Sequence, residues 1–139
     1  MDILALLMRW LHIASMTVLV GGAVYATLVL APASGMMSAD ERKKLWDRVS
    51  DSARGLAIAA VGGALISGTF NLLRKTNLPQ GYHMWFGIKF LIALHVLAVA
   101  ILAFRNGLEP EKRIRMLKGT MYSGLIVLLL SAWLRAMQL

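Results

Sequence analysis

Arg9 and His12 stand three residues apart in one apolar run, and Lys89 and His95 stand in another. In lipid such ionisable side chains are costly, so they are the first places to look for chemistry. His12 lies ten residues after Asp2, and His95 ten after Trp85. At a helical rise of 1.5 Å per residue, both reach about 15 Å inside one membrane boundary, near the midplane. Two imidazoles at a common depth are a natural pair of axial ligands for haem iron, or part of a copper site.

Other residues fit around that pair. Arg9 and His12 share a helix face. Arg9 and Lys89 lie on the outer side of the histidines, where they would meet haem propionates. Six residues separate Lys89 from His95, about 240° around a helix, so those two do not share a face. Ala59, Gly63, Ser67 and Asn71 form a stripe of small and polar residues that permits close approach by another helix or by a macrocycle.

Copper has its own ligand set. Met8, His12 and Met16 are spaced four apart, His83 adjoins Met84, and Met137 lies near the end of the chain. Thioether and imidazole ligands suit Cu(I), although methionine is also ordinary packing material. A purely structural reading has the histidines bond neighbouring helices, each such bond contributing only about 0.6 kcal/mol.

The elements that must hold these residues are membrane spans. The chain has 139 residues, is 58% hydrophobic and has a mean hydropathy of +0.66, above the range of soluble domains. Trp10 to Ala39 and Gly55 to Leu73 contain no charged side chain. Phe90 to Phe104 and Gly119 to Leu134 reach spanning length when their flanks are included, with Lys89 and Arg135 snorkelling. The pattern predicts one all-α domain, a four-helix up-down-up-down membrane bundle, with spans over about 3–31, 54–73, 85–104 and 115–136. Spans one and three would be diagonal neighbours facing each other across the centre.

The net charge of +8 follows the same plan. Arg42, Lys43, Lys44, Arg48 and Arg54 fall between spans one and two; Arg105, Lys112, Arg113, Arg115 and Lys118 fall between spans three and four. The middle connector has only Arg74 and Lys75. This asymmetry predicts cytoplasmic basic connectors and both chain ends outside, in a bacterial-type inner membrane. Topology and attraction to anionic lipid account for the basic residues, leaving nothing for nucleic acid. Trp10, Trp85 and Trp133 fit an outer aromatic belt.

Local signals mark the connectors. Ser38 to Glu41 fits a capping box. Leu45, Trp46 and Val49 predict an amphipathic helix over about 39–51, lying on the inner membrane surface. Gly107 can end the third helix and Pro110 can open the fourth. The first apolar run is too long for a signal-peptide core and reads as a retained span.

Several chemistries are excluded. The chain has no cysteine, hence no disulfide, thiolate metal site or covalently attached haem. No acidic residue lies within a span, which argues against a carboxylate proton relay. There is no Ser-His-Asp set, glycine-rich phosphate loop or zinc motif.

Trp10-Leu11-His12-Ile13-Ala14, followed by Gly21-Gly22 and Pro32, resembles the first helix of the copper-resistance D (CopD) membrane family. Ser67 to Asn71 and Phe86 to Leu91 resemble that family's later motifs. The early histidine and the lysine opening the third helix are also similar to HemJ, the haem-binding protoporphyrinogen oxidase family. The resemblance implies His12 and Lys89 as site residues, with haem or copper bound. Pro32 is followed by Ala33, and no Asn-Glu-x-Pro precedes the last helix, which departs from HemJ. His95 matches neither family.

These observations lead to an expected b-type haem module with His12 and His95 as ligands, a redox or electron-transfer protein and, as an enzyme, a haem-dependent oxidoreductase. Arg9, Lys89, Gly63, Ser67 and Asn71 complete the expected site, and a quinone or membrane redox protein is the implied partner. Copper handling through Met8, His12 and Met16 is the alternative. The short loops also suit an accessory subunit of a larger membrane complex, or a homo-oligomer.

Overall fold

Four long helices make up most of residues 1–138, the part of the chain that the structure, a computed structural model, describes. They are α1 (Ile3–Ser34), α2 (Ala39–Leu73), α3 (Tyr82–Ala103) and α4 (Pro110–Ala136), each long and apolar enough to cross a membrane. The chain is built as an all-helical, multi-pass membrane protein.

Helix ends follow from local chemistry. Asp2 caps α1 by accepting from the Ala5 N–H. That bond, and then Arg74 beside it, hold the Asp2 carboxyl below its ordinary range. Within α1 the backbone widens into a π-turn at Ala26–Leu30, just before Pro32, whose missing N–H would interrupt a regular ladder. Ser38 caps α2 by accepting from Glu41 N–H at 3.3 Å, as the sequence predicts. Gly107 turns at φ +75° before Pro110 opens α4.

The expected surface helix over about 39–51 is not a separate element: it is the start of α2, which runs unbroken for 35 residues. The reason is phase. Trp46, Ser50, Ala57, Ala60, Ala64 and Ser67 are all buried, at spacings that keep one stripe facing the bundle through the expected break. Its length, about 50 Å at 1.5 Å per residue, carries the bundle beyond the hydrocarbon core.

The core takes residues from all four helices: Met16, Leu19 and Val20 of α1; Ala60, Val61 and Ala64 of α2; Val96, Leu97 and Ala100 of α3; and Val127 of α4. α1 packs along α2 and α4, and α3 lies mainly along α4. α2 and α3 touch sparsely, and α1 and α3 hardly at all. At one end Asp2 pairs with Arg74, Lys75 bonds Tyr82, and Trp85 meets Trp133 edge-on. At the other end Trp46 is fully buried among Ala26, Ala103 and Leu117, and its indole donates to Ser34 Oγ at 3.1 Å. Trp46→Phe keeps most of the burial and loses that bond. It is expected to lower stability by about 1 kcal/mol, read as the unfolding midpoint in detergent.

Candidate functional site

His12 sits on the inward stripe of α1 and reaches onto α2. Its Nδ1 lies 3.1 Å from Ser67 Oγ and 3.3 Å from the Ala64 carbonyl. The network assigns the tautomer. Ser67 donates its single proton along its own helix, to Gly63, with the Ala64 carbonyl also near. Both groups facing Nδ1 therefore accept, so Nδ1 carries the hydrogen and Nε2 keeps its lone pair. An imidazole held in this way, Nδ1–H on a backbone carbonyl, is the form that presents Nε2 to a metal.

The small residues of α2 make this approach close. A Cβ on Gly63 would fall 2.5 Å from Ser15 Oγ and 3.2 Å from Leu11 Cδ1. One on Gly68 would fall 3.3 Å from the His12 ring. Of the two occupants the stripe allows, it is α1 that fills it, leaving no room there for a macrocycle. Ala59 lies off the seam and is exposed. Asn71 donates to the Met8 carbonyl at 3.5 Å, the limit of a hydrogen bond.

Lys89 turns inward from α3 and is half-buried, with no ion pair or hydrogen bond among the described residues. It lies within electrostatic range of His12. His95 does not join them. It is exposed, in phase with exposed Leu91 and Leu102 rather than with buried Val96. The facing His12–His95 pair is thus not formed within the bundle. Arg9 is exposed as well, although it shares a side of α1 with His12. Of the copper set, Met16 is packed in the core, Met8 is half-buried, and His83 and Met84 are exposed. Among the described residues no three His, Asp or Glu side chains gather as a metal cluster.

A second polar centre, absent from the expected site, lies at the other end. Arg113 is fully buried and donates to the carbonyls of Ala103 at 2.7 Å, Leu108 at 3.3 Å and Arg105 at 3.4 Å. Arg54 Nε and Ser50 Oγ both donate to the Phe104 carbonyl, at 2.9 and 3.0 Å. Together they satisfy the Ala103 and Phe104 carbonyls that end α3 and the Arg105 and Leu108 carbonyls of the connector after it, where cations are also favoured by the helix dipole. Asp47, Ser50, Asp51, Asn106 and Arg113 border a cavity of about 210 Å³ there. With two carboxylates and the negative end of a helix around it, this centre is a cap. A sequence signal for it existed: Arg113 is in phase with buried Leu117, Thr120, Gly124 and Val127.

Comparison with protein-family models, curated proteins and solved structures finds no match to this chain.

Proposed function

We propose that this chain is a small redox module of a bacterial-type inner membrane that binds haem b through His12. Its topology in this reading is up-down-up-down with both ends outside, supported by the basic connectors gathered at one end. The observation that carries the proposal is the seat of the His12 ring: Nδ1 rests on the Ala64 carbonyl and Ser67 Oγ of α2, and Nε2 has no hydrogen-bond partner among the described residues. Lys89, inward and unpaired, supplies a cation for a haem carboxylate. The sparse seam between α2 and α3 is where a flat group can enter. The CopD and HemJ resemblance bears on the same two positions. Haem bound there would supply one-electron chemistry. The chain's own part is to orient one ligand, neutralise one carboxylate and keep water out. His95 has no place in this site.

The test is an absorption spectrum with metal analysis of protein purified in detergent from haem-replete cells. A Soret band with matching iron is expected. A protein without either fails the proposal. Copper in place of iron would favour the thioether reading, and a metal-free protein held by partners would favour an accessory subunit.

A further inference from the structure

His95 is an imidazole near mid-membrane on a face that this chain leaves uncovered. That face is regular. Met84, Ile88, Leu91, His95, Ala98 and Leu102 of α3 are all exposed. Their spacing of 4, 3, 4, 3 and 4 residues is the seam of a left-handed helix pair. At about 100° per residue the six lie within ±40° of one line, well away from the face of Lys89, Val96 and Ala100. Lipid alone would leave the donor and the acceptor of His95 unpaired, a costly arrangement in hydrocarbon.

We propose that this face of α3 is the interface of a parallel homodimer, with His95 of each copy paired across a twofold axis. The occupant follows from depth and chemistry. A second copy inserted with the same orientation brings its own His95 to the same level without further requirement. A neutral imidazole is also self-complementary, with one N–H donor and one lone-pair acceptor. A single polar residue in an apolar seam is a known way to fix register and partner number. The dimer depends on nothing at His12, which faces inward from α1 onto α2.

Cysteine cross-linking in native membranes tests this, and the chain has no cysteine of its own. Leu91→Cys and Ala98→Cys, on the seam, are expected to form disulfide dimers under mild oxidation. Phe90→Cys and Ile101→Cys, exposed but off the seam, are expected to give several-fold less. In detergent, His95→Leu should weaken dimerisation about three-fold, the size of an average polar contact between spans. His95→Gln, also donor and acceptor, should retain it. A chain that stays monomeric, cross-links equally on and off the seam, or cross-links only to a different protein overturns the proposal. None of these outcomes changes the Soret band on which the haem reading stands.

Discussion

His12→Ala protein is expected to purify with neither a Soret band nor iron, while its helix content by circular dichroism matches the parent. Two considerations separate these effects. The side chain's contribution to folding is one interhelical contact, about 0.6 kcal/mol. It is also the chain's one inward imidazole among the described residues, so no other histidine of the bundle can take its place. Ser67→Ala tests the support behind it. Ser67 accepts from Nδ1 and fixes the ring on α2, so its loss should weaken cofactor affinity about 10- to 100-fold. The Ala64 carbonyl remains as a lesser partner. Lys89→Met should likewise lower affinity without abolishing the band, and His95→Leu should leave it intact. Retention of full haem by His12→Ala would remove His12 from the site, and the proposal with it.

The helices and the inward histidine were legible in the sequence because both depend on local pattern. Charge-free runs announce spans, and His12 falls in the stripe of Met8 and Met16. His95 is not placed by its depth, because depth along a helix carries no direction around it. The spacing of Lys89 and His95 already required that the two face different ways, and depth says nothing about which one turns in. Packing decides that: buried Val96 and Ala100 set the inward line, and Lys89 lies on it. The division of α2 failed for the opposite reason. Its charged first turns suggested a surface helix, but the buried stripe through Trp46, Ser50 and Ala57 keeps phase, and nothing between them breaks the helix. Arg113 was hidden by its company, since five cations in a basic connector read alike until one of them is placed against carbonyls.

Arg113 carries the largest expected effect on stability. Arg113→Ala removes donors from the Ala103, Leu108 and Arg105 carbonyls and leaves at least the first two in a space too enclosed for full hydration. A buried charged donor lost from its acceptors typically costs about 3 kcal/mol or more, against about 1 kcal/mol for Arg54, which is partly exposed. The unfolding midpoint in detergent should fall accordingly, with Arg113→Ala far below Arg54→Ala. Arg113→Lys should recover little, because an ammonium lacks the planar fork that spans separate carbonyls. The damage should also be local. Arg113 holds the end of α3 beside Trp46 and Leu117, about half a membrane width from His12, so the variant should bind cofactor normally at temperatures where it stays folded. Parity of the Arg113→Ala and Arg54→Ala midpoints would show that water reaches those carbonyls and that the cap is not dry.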